Sequence, residues 1–114
     1  MDDCIFCKII SGDIPSDIIY RDDEVIAFRD VNPVAPTHIL IVPVEHLVTT
    51  LDIPDVNTSL TNKMIQTANR LANQEGISED GYRLVINCGE QGGQVVKHLH
   101  MHLIGGRHLS SSLG

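Results

Sequence analysis

His98, His100 and His102 alternate with Leu99, Met101 and Leu103. In a strand, alternate side chains share a face, so the three imidazoles line one side roughly 7 Å apart. Leu99, Met101 and Leu103 then point into a core. Imidazole titrates near pH 6.5, so it can take, give or hold a proton under physiological conditions. A ring crowded by other imidazoles is biased towards its neutral, nucleophilic form. Two chemistries fit the pattern: covalent catalysis with His100 as nucleophile, or zinc chelation through two alternate histidines. Just upstream, Asn87–Gln94 contains Gly89, Gly92 and Gly93, whose backbone N–H groups can approach an anion closely. A phosphate cradle leading into the histidines is the expectation.

Several elements must position these residues. Ile5, Phe6, Ile9 and Ile10 have helical spacing, and Ser11-Gly12 closes that short helix. Ile18–Arg21 and Val25–Asp30 predict a hairpin across Asp22-Asp23-Glu24. Ile39–Val42 predicts an apolar strand closed by Pro43. A long helix is predicted over Pro54–Gln74, with Leu60, Met64, Ile65, Ala68, Leu71 and Ala72 on one stripe and Gly76 as its stop. Arg83–Asn87 and His98–Ile104 complete the set. The predicted class is α+β, a five-stranded mainly antiparallel sheet with one long and one short helix. Residues 1–114 are expected to form a single domain.

Hydrophobic residues make up 42% and charged residues 20% of the chain, a globular balance. The formal net charge of −7 argues against nucleic acid or an anionic membrane as partner. A small nucleotide stays compatible, because it responds to local donors. No apolar run approaches the 18 residues of a membrane span, and the opening Asp2-Asp3 lacks a signal-peptide pattern. A soluble, cytoplasmic protein is expected. Three cysteines, Cys4, Cys7 and Cys88, do not make a disulfide framework.

The run Gly92-Gly93-Gln94-Val95-Val96-Lys97-His98-Leu99-His100-Met101-His102-Leu103-Ile104-Gly105-Gly106-Arg107 resembles the signature strand of the histidine triad (HIT) family. The similarity is greatest to its Hint-type branch, the purine nucleoside phosphoramidases. It extends through Ile5–Ile10 with Ile14-Pro15, through Ala27–Pro33, through Ala35–Pro43 and through Gly81–Asn87, so it covers roughly residues 4 to 107. The resemblance implies a homodimeric hydrolase that cleaves the P–N bond of purine nucleoside 5′-phosphoramidates or similar adenylated compounds. His100 would attack the α-phosphorus, and water would resolve the nucleotidyl-histidine. His102 would donate to phosphate oxygens, and His38 would orient His100 and hold its reactive tautomer, unless a backbone carbonyl holds that ring instead. Asp30 would accept from the ribose hydroxyls. Ile5, Phe6, Ile9, Phe28 and Val31 would sandwich the purine, and Asn87, Gly93 and Gln94 would face the phosphate.

Cys4-Ile5-Phe6-Cys7 is a C-x2-C pair, half of a tetrahedral zinc site. His46 and His98 are the candidates to complete it, and the resemblance to zinc-holding HIT proteins implies that same set. His98 would then be unavailable to phosphate, and the zinc would be structural, pinning the short helix to the histidine segment.

Two positions depart from the branch. Val95 replaces a serine beside the scissile bond, which leaves phosphoramidase efficiency and leaving-group preference open. The tail Arg107–Gly114 lacks the Trp-Pro-Pro ending that shapes the partner subunit's site, which leaves substrate selectivity open. Alternative readings are a dinucleoside polyphosphate hydrolase of the fragile-histidine type and a nucleotide-binding or interaction module with weak turnover. Zinc hydrolysis through His98 and His100 is a further alternative, disfavoured by the better Cys4, Cys7, His46, His98 set. The strand over Tyr82–Ile86 would leave an aggregation-prone edge unless paired, and pairing with its symmetry mate agrees with the implied dimer. Met64, Ile65 and Leu71 of the long helix are expected at that interface.

Overall fold

The computed structural model describes residues 3–113; Met1, Asp2 and Gly114, with the reading of Asp2 as part of a leaderless start, lie outside it. The elements run α1 (Ile5–Ser11), β1 (Ile18–Arg21), β2 (Val25–Arg29), β3 (Thr37–Pro43), a 3-10 turn (Thr50–Asp52), α2 (Leu60–Gln74), β4 (Tyr82–Val85) and β5 (Met101–Gly105). Every strand pairing is antiparallel, in the order β1-β2-β3-β5-β4. The fold is the expected α+β class.

Local chemistry sets the ends of these elements. The Cys4 Sγ caps α1 by accepting from Cys7 N at 3.2 Å, and Gly12 closes it at φ 85°, a left-handed conformation that favours glycine. Between β1 and β2, Asp22 Oδ1 accepts from Glu24 N at 2.8 Å and Val25 N at 2.9 Å, the carboxylate turn that Asp favours. The long helix starts at Leu60, later than predicted. Val56, Asn57 and Thr58 are poor helix formers, Asn57 sits at φ 57°, and Thr58 Oγ1 instead accepts from Leu60 N at 3.2 Å.

The sheet separates two cores. On one face Ala27, Ile39, Ile41, Leu99, Met101 and Leu103 pack against Met64, Ala68, Leu71 and Ala72 of α2. On the other, Ile26, Phe28, Leu40 and Val42 pack against Phe6 and Ile9 of α1. Met64 and Leu71 are 1% and 2% exposed, so they serve the chain's own core and not an interface; only Ile65, at 39%, faces outward. Fully burying side chains of this size is worth about 1.5–3 kcal/mol each, which holds α2 to the sheet. Among the described residues no helix is long and apolar enough to cross a membrane. All three cysteines are free.

Candidate active site

The predicted strand over His98–Ile104 begins only at Met101. The reason lies in where the preceding backbone groups bond. Leu99 N donates to Leu47 O at 2.7 Å, and the His98 carbonyl accepts from the ring of its own neighbour, His100 Nδ1, at 2.7 Å. These groups are therefore unavailable to a ladder. Alternation survives without it: Leu99, Met101 and Leu103 enter the α2 core while the three imidazoles face α1. The rings of His100 and His102 lie closer than strand geometry alone suggests, with centroids 5.0 Å apart.

The partners of each ring fix its tautomer. A carbonyl can only accept, so His100 Nδ1 carries the proton and its Nε2 keeps a lone pair. Burial holds the His100 ring below the ordinary histidine range, so it is neutral at physiological pH. His38 Nδ1 accepts from Val34 N at 3.2 Å, so the ring's proton sits on Nε2. That Nε2–H donates to His102 Nδ1 at 2.9 Å, so His102 presents an Nε2–H donor. Burial, and then the neighbouring His100 and His38, push His102 down to about 4. His38 therefore orients His102, and of the two expectations for His100 it is the backbone carbonyl and not His38 that holds the ring. In the β3–β5 ladder His38 opposes Ile104, and its ring reaches diagonally to His102, whereas the His98 carbonyl already occupies His100. Asp30 Oδ2 stands 3.5 Å from His38 Nε2, and Asp30 Oδ1 accepts from Asn32 N at 2.8 Å.

These rings open onto a cavity of about 450 Å³. It brings together Ile5, Phe6, Ile9, Phe28, Asp30, Val31, Val95, His100 and His102, all expected from the sequence. Phe6 is its inner wall, edge-on to Phe28 (5.4 Å between centroids) and to His100 (5.1 Å). Ile14, Pro15, Leu40 and Val96 also line it and were not anticipated. Strand parity would have found Leu40, since it opposes both Phe28 and His102 in register.

The glycine loop departs from the expected cradle. Asn87 Nδ2 donates to Gly92 O at 2.7 Å, and the Gln94 side chain bonds Gly89 N, Val48 O and Val96 O. The N–H groups of Gly93 and Gln94 donate to Glu90 O and Gly89 O within the loop. Asn87, Gly93 and Gln94 thus brace the turn and are not among the residues lining the cavity. A Cβ on Gly92 would stand 2.4 Å from Cys88 O, so only glycine permits this tight fold.

A second cluster lies beside the first. Cys4, Cys7, His46 and His98 place their donor atoms within 4.8 Å of one another. Cys4 Sγ is 3.2 Å and Cys7 Sγ 3.5 Å from His98 Nδ1, and Cys7 Sγ is 3.1 Å from His46 Nδ1. His98 Nε2 donates to Pro43 O at 2.9 Å, which aims Nδ1 at the thiols. Burial and the adjoining Cys4 push the Cys7 thiol up to about 11, a bias that a bound cation would reverse. Two sulfurs and two imidazole nitrogens converging in this way match a tetrahedral zinc donor set.

A five-stranded antiparallel sheet that carries an alternating histidine run against an apolar cavity defines a recognisable class. A family model described as the HIT domain matches residues 11–109, and the chain belongs to that family. It is 52% identical over 112 residues to the purine nucleoside phosphoramidase of Escherichia coli (strain K12), covering 98% of this chain and 94% of that one. It is 46% identical over 110 residues to a 14 kDa zinc-binding protein of Brassica juncea, covering 95% and 96%. The crystal structure of a HIT family hydrolase from Legionella pneumophila Philadelphia 1 superposes with a TM-score of 0.94 at 46% identity, covering 98% of this chain and 100% of that one.

Proposed function

We propose that the protein is a nucleotide hydrolase that cleaves purine nucleoside 5′-phosphoramidates and related adenylated compounds to the nucleoside monophosphate. The observation that carries this reading is the His100 tautomer. A proton held on Nδ1 by the His98 carbonyl leaves Nε2 as a neutral nucleophile at the cavity wall. His100 Nε2 attacks the α-phosphorus; the P–N bond to the leaving amine breaks and the amine takes up a proton from solvent water. The ring is then cationic, and its hydrogen bond to the His98 carbonyl becomes charge-assisted. Water attacks the phosphorus and gives up its proton to solvent, the P–Nε2 bond breaks to restore the neutral Nδ1–H imidazole, and the nucleotide leaves. His102 Nε2–H donates to a phosphoryl oxygen throughout, held in that role by His38.

Phe6, Phe28, Ile5, Ile9 and Val31 contact the purine, and Asp30 accepts from the ribose. The loop residues Asn87, Gly93 and Gln94 support Val95 and Val96 at the phosphate end instead of cradling the anion themselves. Cys4, Cys7, His46 and His98 hold a zinc ion that cross-links α1 to the histidine segment. The protein works in the cytoplasm as a homodimer joined along β4.

Steady-state turnover of an adenosine phosphoramidate panel, set against diadenosine polyphosphates, tests the reading. Cleavage of the phosphoramidates, lost in His100→Ala, is the expected result. Preferential cleavage of polyphosphates would overturn it in favour of the fragile-histidine alternative.

A further inference from the structure

Glu75 lies at the C-terminal end of α2, on the sheet face opposite the cavity. Its carboxylate takes a bidentate pair from Arg29, Nη1 to Oε1 at 2.8 Å and Nη2 to Oε2 at 2.9 Å. Thr37 Oγ1 also donates to Oε1, at 3.4 Å. A carboxylate at a helix C-terminus opposes the helix dipole, so stabilising α2 does not account for it. What it does touch is specific. Arg29 ends β2 and Thr37 begins β3, and each is followed by a residue of the site, Asp30 and His38. Alternation sends Arg29 and Thr37 to the α2 side and their neighbours to the cavity side. The Asp30 N–H donates to His38 O at 3.0 Å, so the two strand ends are themselves joined there.

We infer that Glu75 is a positioning residue for the His38–His102 pair, clamping from behind the sheet the two strand ends that carry Asp30 and His38. This inference rests on the hydrolase reading for its kinetic consequence. The bidentate fork fixes the end of β2 in orientation as well as distance, because both guanidinium nitrogens must stay in the carboxylate plane. The Thr37 hydroxyl extends the clamp to β3. With both ends fixed, the His38 Nε2–H is held on His102 Nδ1 and the His102 donor stays aimed into the cavity. Released, the ends would fray, as sheet termini do, and His102 would sample both tautomers.

The test uses the full chain, with Glu75→Ala, Glu75→Gln and Thr37→Val. One readout is kcat and KM for an adenosine phosphoramidate well below the unfolding temperature. The other is the imidazole nitrogen NMR shifts of His38 and His102, which report the tautomers without turnover. Glu75→Ala is expected to lower kcat about 10-fold with KM changed less than about twofold, and to move both imidazoles towards averaged tautomer shifts. Glu75→Gln, which keeps an acceptor for Arg29 and Thr37, should recover most of both. Thr37→Val, which keeps shape, should show a smaller change in the same direction and serves if Glu75→Ala does not fold. A lower Tm with unchanged kcat and unchanged imidazole shifts would overturn the positioning role. Absence of phosphoramidate turnover in the wild type would sink the hydrolase reading, while the imidazole shifts would still decide the positioning.

Discussion

His38 Nε2 lies 2.9 Å from His102 Nδ1, across the β3–β5 ladder. The two rings belong to one hydrogen-bond chain, with Val34 N at one end and the cavity at the other. His38 has no contact of this kind with His100, whose Nδ1 is held by the His98 carbonyl. The two functional histidines of β5 and its approach are thus oriented by different means, one by a side chain and one by the backbone.

His38→Ala should therefore act through phosphate binding and transition-state donation, not by disabling the nucleophile. A loss of about 10–100-fold in kcat is expected, the usual range for an orienting partner. Single-turnover measurement should still detect nucleotidyl-His100. Complete absence of the covalent species in that variant would place His38 on His100 after all.

His100→Ala removes the nucleophile and should lower kcat by several orders of magnitude. AMP binding should persist, because the cavity walls and Asp30 are untouched. Titration calorimetry with AMP, alongside turnover, separates the two effects. Retained turnover would rule out the covalent route.

Protonation gives a further check. His102 is held down to about 4 against an ordinary 6.5, mainly by burial. Its neutral form is the one that accepts from His38, so kcat/KM should stay flat through pH 6.5 and fall only towards pH 4. Stability follows the same group. Between 6.5 and about 4 the unfolded chain binds the proton and the folded chain does not, so stability rises with pH across that window. On acidification the urea midpoint should begin to fall near pH 6.5, before activity does. A kcat/KM limb centred at 6.5 would contradict the lowered titration of this half-buried ring.

Metal removal tests the second cluster. Chelation should lower Tm, because an ion held by the proposed cluster would tie Cys4 and Cys7 of the α1 region to His46 and His98. Turnover at low temperature should fall less, since none of the four ligands is placed on the substrate. One zinc per chain is expected in protein purified without chelator. Metal content that stays substoichiometric after reconstitution would show the thiols to be packing groups.

The site was legible in the sequence where alternation or spacing encoded it. The histidine run and the C-x2-C pair were readable as patterns, whereas the apolar cavity walls were reached only through the family resemblance; the structure brings the members of each together. What escaped depended on competing hydrogen bonds. His98 and His100 leave the ladder because Leu99 N finds Leu47 O, a partner 52 positions away that no local pattern announces. Asn87 and Gln94 have side chains suited to phosphate, yet Asn87 donates to Gly92 O inside its own loop and Gln94 to Val48 O, 46 positions away. The delayed start of α2 was more accessible: Val56-Asn57-Thr58 is weak helix sequence, and the apolar stripe already began at Leu60. The Arg29–Glu75 pair joins residues far apart in sequence, and only the packing of α2 on the sheet brings them together.

The last prediction concerns assembly. β4 is an edge of the sheet, its side chains only half-buried, and among the described residues its outer backbone groups have no partner strand. Such an edge is a template for pairing, and a two-fold partner covers it with an identical strand. Ile65, exposed on α2, would add apolar area to the contact, whereas Met64 and Leu71 are already committed inward. Sedimentation at micromolar concentration should give a dimer, and Ile65→Glu should weaken it by placing paired charges across the axis. A stable monomer in the wild type would contradict the assembly and leave β4 in need of another cover.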